Sequence, residues 1–452
     1  MIRDKIVLEN IKGISRLCVE FEFSESNFLV ITGKNGSGKT SLVKAYHLLK
    51  DPQIFSKSSG LNAIRADSRV IFDLDGFPPF EFFFNKKVGA LDSRNVLPTQ
   101  NQIVAELPVP FGERFSQFSL IAKHDSEIRM NIAASQYRRA TELIQFLADV
   151  YSAGKFDDLK VTRVNRTDFY FLLRENDFYT REDHFSSGEY FLIQLFRLIT
   201  SGAKLILIDE VDVALDAAAQ VKLYAAVKPL LRRFGARLSV ISHSLAFMST
   251  VEEGGLYYLE EIDGGIVLQM RSFGYIKSDL YGFSGYERYV LTEDEVLEGF
   301  LEYLIVRYSI QSYYRFVTIG VGGVNQLIMI VEKNDRSPVF SESANVLCVV
   351  DKDSKEIFAR DYCGPTQVSF SPVSDIERYI FTKRAGLFPD IPLPLYREST
   401  NEKKASKSYW RYLTVDHAIG KNEIYKALVD SEPSLSLELA DSLRHFLSPM
   451  ST

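Results

Sequence analysis

The sequence predicts an α/β protein of two successive units, the second of them built on a parallel sheet. Three observations predict it. The apolar run Asn27–Thr32 leads straight into a Gly-rich loop and then a helical pattern over Thr40–Leu49. Strong alternation of strand-like and helix-like segments returns from Phe185 to Ser244, around the wholly apolar tetrad Leu205–Ile208. A second such alternation begins at Tyr289 and reaches another apolar strand, Val346–Val350, that ends in acids.

Composition agrees with this class. The chain has 452 residues, 46% of them apolar and 25% charged, with 26 Gly and 15 Pro, which excludes a disordered or collagen-like chain. That length suggests about two or three domains. There is no run of eighteen apolar residues, so no spanning helix is expected, and the first residues lack the apolar core of a signal peptide. The three cysteines, Cys18, Cys348 and Cys363, form no CxxC pair and indicate neither a disulfide framework nor a zinc site. The expected location is cytoplasmic, with no membrane partner. The net charge of −6 neither requires nor excludes a nucleic-acid partner, since acidic metal-binding residues can coexist with local basic patches.

The elements follow in order. Lys5–Asn10 and Arg16–Phe23 have β-rich composition with Gly13 between them and read as a hairpin. From Asp51 to Pro110 short strands and loops are expected. Ser135–Tyr151 has helical spacing, with Ala140, Leu143, Ile144, Leu147 and Tyr151 on one face. Gly254–Tyr286 reads as a hairpin followed by a linker. Beyond it come strand Tyr289–Leu291, helix Glu295–Tyr308, strand Phe316–Ile319, a helix near Asn325–Glu332 and strand Val346–Val350. The domains are expected at 1–285 and 286–452, with no internal repeat and no long coiled coil.

Gly33-Lys34-Asn35-Gly36-Ser37-Gly38-Lys39-Thr40 fits GxxxxGK[ST] in full, after an apolar strand and at the start of a helix. Glycines let backbone N–H groups turn toward phosphate, Lys39 reaches the β/γ-phosphates, and the Thr40 hydroxyl suits Mg²⁺; Ser41 continues the loop into the helix. ATP and Mg²⁺ are therefore the expected ligands, at Gly33, Asn35, Gly36, Gly38, Lys39, Thr40 and Ser41. Asp209, at the end of the Leu205–Ile208 strand, suits the Mg²⁺ shell, and Glu210 can orient or deprotonate a water. Ser186-Ser187-Gly188-Glu189 precedes that strand, Ala214-Leu215-Asp216 follows it, and Leu238–Ser242 is a strand ending in His243.

With these residues in this order, residues 1–285 resemble an ABC-type ATPase head of the branch that includes RecF and SMC proteins. The resemblance implies that Ser187 and Gly188 are the signature motif, Asp216 the D-loop and His243 the switch histidine. Gln117 is the expected Q-loop glutamine. It also implies a homodimer bridged by ATP, since the signature of one head completes the γ-phosphate site of another. The insert from 118 to 185, 68 residues, is far too short for the coiled-coil arm of an SMC protein.

In the second part, Tyr289–Thr292 ends in Glu293-Asp294, and Val346–Val350 ends in Asp351-Lys352-Asp353. Carboxylates converging at the C-terminal edge of a parallel sheet repel one another unless divalent cations neutralise them. A hard-oxygen cluster of that kind suits Mg²⁺ or Mn²⁺ and in-line phosphoryl chemistry. The arrangement resembles a TOPRIM domain, with Glu293 the first acid, Asp351 and Asp353 the DxD pair, and Glu377, in Ser374-Asp375-Ile376-Glu377, a candidate second-metal ligand. Glycine often follows the first acid in that family. Asp294 stands there in this chain, and Glu298-Gly299 offers the pair in another register, inside a predicted helix. Lys403, Lys404 and Lys407 are all candidates for the late lysine of such nucleases. The segment Lys403–Arg411, with four basic residues and Trp410, fits either a phosphate-gripping surface or a solvated helix face carrying one core aromatic.

A head of this kind followed by a TOPRIM domain is similar to the OLD family, which implies an ATP-hydrolysing, metal-dependent DNA endonuclease of anti-phage defence. A different class of answer is an ATPase sensor or scaffold, working with a genetically linked protein partner that it holds and releases. Intact Glu293, Asp351 and Asp353 favour the nuclease.

Overall fold

The computed structural model describes residues 3–449 apart from 24, 59–62, 99–101, 107–115, 152–153, 175–177, 284, 393 and 395–400, and apart from the side chains of 58, 116 and 117. Contacts within the chain divide it into two compact units, Met1–Phe273 and Gly274–Thr452. Among the described residues no helix is long and apolar enough to cross a membrane.

The first unit carries fifteen of the strands: β1 (Arg3–Ile11), β2 (Ile14–Glu22), β3 (Phe28–Gly33), β4 (Ile64–Asp73), β5 (Phe80–Asn85), β6 (Ala90–Asp92), β7 (Ile103–Glu106), β8 (Arg138–Arg139), β9 (Leu159–Val164), β10 (Thr167–Leu173), β11 (Tyr179–Arg181), β12 (Leu205–Ile208), β13 (Arg237–Ile241), β14 (Leu256–Ile262) and β15 (Gly265–Met270). Eleven of them form one sheet in the order β6-β5-β4-β1-β2-β15-β14-β3-β13-β12-β7, and β11-β10-β9-β8 form a second. The large sheet is antiparallel from β6 to β2 and parallel from β14 to β7. In the parallel half β3, β12 and β13 are buried at every position, and β12 is apolar throughout, as a strand covered on both faces requires.

The second unit holds β16 (Arg288–Thr292), β17 (Phe316–Gly320), β18 (Val346–Val350) and β19 (Gln367–Phe370), in the order β17-β16-β18-β19 with every pairing parallel. Strand β18 feeds both faces by period-two alternation. Leu347 and Val349 pack with Leu297, Phe300, Ile376, Trp410 and Leu443, while Val346, Cys348 and Val350 pack with Leu327, Val331 and Phe358. Helices on both faces of a parallel sheet define a doubly wound unit. The chain passes from β16 outward to β17 and then back across to β18, so strand order reverses between β16 and β18.

Local structure departs from the sequence expectation in three places. The helix expected over Ser135–Tyr151 spans Thr141–Val150, because Arg138–Arg139 pairs with β9 and the Ala140 N–H donates to the Leu159 carbonyl. The expected linker after the β14–β15 hairpin contains helix Phe273–Tyr281, with Ile276 buried and Gly274 packed so closely on the Glu287 carboxylate that a Cβ would lie 2.4 Å from it. Helix Ile54–Ser58 falls in the expected strand-and-loop region, where Asp51 accepts from the Gln53 N–H at its start. These are tertiary or capping contacts that periodicity does not encode.

Helix Glu402–Arg411 divides the basic–aromatic segment between core and surface. Trp410 is buried against Tyr425 with ring centroids 6.0 Å apart, while Lys403, Lys404 and Lys407 are exposed. Trp410→Ala is accordingly expected to cost about 3–5 kcal/mol of stability in denaturant unfolding, against under ~0.5 kcal/mol for Lys404→Ala. Equal effects would contradict this packing.

Candidate active sites

The nucleotide loop follows from its glycines. Gly36 and Gly38 have φ of +84° and +88°, the left-handed region that a side chain strains to adopt, and a Cβ on Gly38 would lie 2.6 Å from Leu17 Cδ1. The loop delivers the chain into helix Lys39–His47. Lys39 Nζ donates to the Gly33 and Lys34 carbonyls at 2.7 Å each, folded back over the loop, and burial holds its pKa below that of a free lysine.

Around this loop lies a cavity of about 390 Å³ lined by Asn35, Gly36, Gly38, Lys39, Thr40, Ser41, Asp209, Glu210 and His243, together with Lys12 and Ile14. Nine of the residues singled out in the sequence therefore share one cavity, although Asp209 and His243 lie some 170 and 200 positions after the loop. Strands β3 and β12 flank β13 in parallel, so the loop, Asp209 and His243 all leave the same edge of the sheet. Asp209 is 3% exposed, its carboxyl pushed up to about 6 by burial and by Glu210, against hydrogen bonding from Thr40 and the charge of Lys39. Glu210 sits at φ +54°, a strained backbone for a non-glycine residue of the kind found at reactive sites. Burial, with the charge of Lys39, holds His243 below its usual pKa, so its imidazole is neutral at pH 7.

Ser187, Gly188 and Asp216 do not line that cavity. Ser186 caps helix Ser187–Thr200 in a reciprocal capping box with Glu189, and Ser186 and Ser187 are exposed. Gly188 is packed so that a Cβ would lie 2.5 Å from Tyr151 Oη and 2.8 Å from the Ala214 carbonyl, which ties this helix start to the segment before Asp216. The Asp216 carboxylate caps its own helix, accepting from Ala219 N–H at 2.8 Å. Val213 beside it is 69% exposed. Gln117 falls in helix Ser116–Lys123, but its side chain lies outside the described residues.

Sequence reasoning missed three residues of this site. Lys12 and Ile14 enter from the β1–β2 turn, visible only once β2 lies beside the loop. Gln220 donates to the Asp212 and Leu215 carbonyls at 2.9 and 2.8 Å and accepts from the Ser244 hydroxyl at 2.5 Å. It thereby joins the turn after Glu210 to the turn after His243.

In the second unit, the acids gather where strand order reverses. Glu293 leaves β16 and Asp351 leaves the neighbouring β18. Glu293 Oε1 accepts from the Asp351 N–H at 2.9 Å, and its Oε2 accepts from the Ser354 hydroxyl at 3.2 Å. Asp351 is 6% exposed and its Oδ1 is buried with no hydrogen-bond partner among the described residues. Burial, then the charges of Glu293, Asp294, Asp375 and Asp353, push the Asp351 carboxyl up to about 9. Burial raises Glu293 and Asp353 as well, and Glu377 reaches about 7, where Lys407 and Lys403 oppose the rise. Of the three late lysines, those two face the acids; Arg378 approaches Asp353 at 3.4 Å. Among the described residues no three ligating side chains converge on one point.

The departure at position 294 has a local cause. Asp294 caps helix Glu295–Arg307, its Oδ1 accepting from Val296 and Leu297 N–H, and Glu298 on that helix accepts from Gly320 N–H at 3.0 Å. Glu298 is thus engaged at the end of β17, and Glu293 is the acid that faces the DxD pair. Asp375 was missed in the sequence because it reads as a cap, which it is, accepting from Arg378 N–H at 2.8 Å.

An unpaired, desolvated Asp351 makes stability depend on pH. Its folded pKa, pushed up to about 9, lies far above the usual carboxylate range, so the folded state holds a proton that the unfolded chain releases. Metal-free protein is therefore expected to lose stability as pH rises from about 4 to about 9. Asp351→Asn should flatten that slope and raise the melting midpoint at pH 8 by at least ~2–4 °C, the shift that ~1 kcal/mol makes in a unit of this size. An unchanged slope in the variant would show that Asp351 is solvated.

The first unit's loop, cavity and acids define the class: it is a P-loop nucleotide-binding domain. A family model described as an AAA domain matches residues 5–150. Solved structures similar to the chain include an Smc head bound to the C-winged helix domain of ScpA, 17% identical, covering 59% of this chain and 96% of that one, with a TM-score of 0.40. They also include the Smc head with an extended coiled coil from Pyrococcus furiosus, 14% identical over 59% of this chain and 95% of that one, TM-score 0.39. The SMC head domain from Thermotoga maritima is 18% identical over 60% of this chain and 98% of that one, TM-score 0.34. No curated protein matches the chain.

Proposed function

We propose that this chain is an ATP-dependent or ATP-regulated, metal-dependent DNA endonuclease of the OLD type, serving in anti-phage defence. One observation carries the nuclease half: two buried strand-end acids, Glu293 and Asp351, meet at the topological switch point of a parallel sheet, where α/β units bind their ligands. The Asp351 Oδ1, which none of the described residues satisfies, and the hard oxygen donors around it, fit a divalent cation. Glu293, Asp351 and Asp353 would hold it, with Glu377 the ligand for a second. Bound Mg²⁺ or Mn²⁺ supplies charge neutralisation and a water of lowered pKa. The protein's own part is to fix the acids: Ser354 and the Asp351 N–H orient Glu293, and Arg378, Lys403 and Lys407 offer positive charge toward the phosphate backbone.

In the head, Lys39 and the loop N–H groups bind the triphosphate, Thr40 and Asp209 hold its Mg²⁺, and Glu210 positions and deprotonates the attacking water. The Gln220 bridge keeps Glu210 and His243 in register. Exposed Ser187, outside its own cavity, together with exposed Val213, supports an ABC-type homodimer in which each head completes the other's site.

The test is nicking of supercoiled plasmid by the full chain in Mg²⁺ or Mn²⁺, with and without ATP, against an EDTA control. Metal-dependent nicking is the expected result. Intact plasmid alongside continuing ATP hydrolysis would overturn the nuclease reading in favour of an ATPase that holds a separate effector protein.

A further inference from the structure

A second cavity of about 390 Å³ opens in the C-terminal unit, the same volume as the one around the nucleotide loop. Its floor is β19 with the residues after it, and its wall is helix Pro433–Leu447. Phe370, Pro372, Leu435 and Leu439 make one side apolar. At its base the Ser369 and Ser442 hydroxyls share one hydrogen bond of 2.6 Å, which leaves spare acceptor capacity on both. At its mouth stand Lys352 and Lys355, both exposed, with the Lys355 ammonium 5.1 Å above the Phe370 ring centre. One carboxylate, that of Glu438, also reaches the lining, on an exposed turn of the helix.

The two lysines come from the loop that carries Asp351 and Asp353, yet they serve the other side of it. Among the described residues neither Lys352 nor Lys355 forms an ion pair. The combination of cationic mouth, apolar wall and hydroxyl base matches a ligand with a phosphate at one end and a flat, hydrogen-bonding ring at the other.

We infer that this cavity is a second nucleotide site, taking a phosphorylated nucleoside with its phosphate on Lys352 and Lys355 and its base against the Phe370–Leu439 wall. The cavity runs along β19 to the residues that follow β18 and β19, one loop away from the acids. If the acids cut a phosphodiester, a strand crossing them places a neighbouring nucleotide here, so the nucleic-acid source of the ligand rests on the nuclease reading. The chemistry of the pocket does not.

The experiment measures binding of the full chain, in EDTA so that nothing is cut, to short single strands labelled at one end and bearing either phosphate or hydroxyl at the other, with 5′ and 3′ versions of each. Free AMP and dTMP serve as competitors. One phosphorylated end is expected to bind at least ~tenfold more tightly than its hydroxyl counterpart, the scale of a charge-assisted hydrogen bond. That ratio should fall to within about twofold in Lys352→Ala/Lys355→Ala. It should fall equally in Ser442→Phe, which fills the cavity without changing charge, while ATP hydrolysis by the head is unaltered in both. Phosphate dependence that survives Ser442→Phe, or that is absent for both ends and both mononucleotides, overturns the site. Mononucleotides competing as well as phosphorylated strands would support the site and identify a free nucleotide as its ligand. Should wild type bind in this manner yet never nick plasmid, the site stands and the nuclease reading alone fails.

Discussion

Glu210→Gln is expected to slow ATP hydrolysis by at least about a hundred-fold, and up to about ten-thousand-fold, the range that a positioned general base contributes. ATP affinity should be unchanged, because the groups that hold the triphosphate, Lys39 and the loop N–H groups, are untouched. The argument is geometric. Glu210 lines the same cavity as Lys39, Thr40 and His243, and its backbone is held at φ +54° by the turn that follows β12. Glutamine fills the same space but cannot accept the proton of water. If the heads complete each other through Ser187, the variant should also accumulate as an ATP-bound dimer in light scattering. Turnover within about threefold of wild type would remove Glu210 from the reaction.

The second large effect is expected at the acids. Asp351→Ala should abolish plasmid nicking to at least about a hundred-fold below wild type, since even outer-shell partners of ligating carboxylates act on a scale of about 10- to 100-fold. Ser354→Ala should fall within that smaller range, because its hydroxyl only orients Glu293 Oε2. ATP hydrolysis serves as the control for folding and should be retained in both. Nicking undiminished by Asp351→Ala would place the cutting chemistry elsewhere or in a contaminant. Loss of nicking in Ser354→Ala as deep as in Asp351→Ala would show that Glu293 is useless unless held by both of its donors.

The two units differed in how much of each could be read from the chain. The nucleotide loop is a local device: eight consecutive residues supply its glycines, lysine and hydroxyl, and its strand and helix flank it directly. Asp209, Glu210 and His243 were legible because each ends an apolar run that must be a buried strand, and parallel strands put their C-terminal ends on one edge. Lys12, Ile14 and Gln220 carried no such signal. Lys12 belongs to a hairpin turn, and Gln220 is one polar residue on an amphipathic helix, indistinguishable there from a solvated side chain.

Among the acids, periodicity located the strand ends but not the partition of labour. Asp294, Asp375 and Glu377 have similar local contexts, all at helix starts, yet two of them cap helices and the third sits within reach of Lys407. Choosing among Lys403, Lys404 and Lys407 required the tertiary structure, which brings the charges of Lys407 and Lys403 to bear on Glu377. Trp410 likewise could be read as a nucleic-acid platform until helix Lys421–Ser431 was seen to cover it with Tyr425.

The sequence by itself determined the α/β class, the phosphate loop with its acids, and the strand ends that carry the second set of carboxylates. These are properties of short segments, set by backbone freedom at glycine and by the period of apolar residues. Only the tertiary structure decided that β16 and β18 are neighbours, that Glu293 therefore grips the Asp351 N–H, and that Lys352 and Lys355 face a cavity rather than the acids beside them. Strand order and the burial of one side chain by a distant helix are set by the summed packing of the whole unit, and no local run of residues records them.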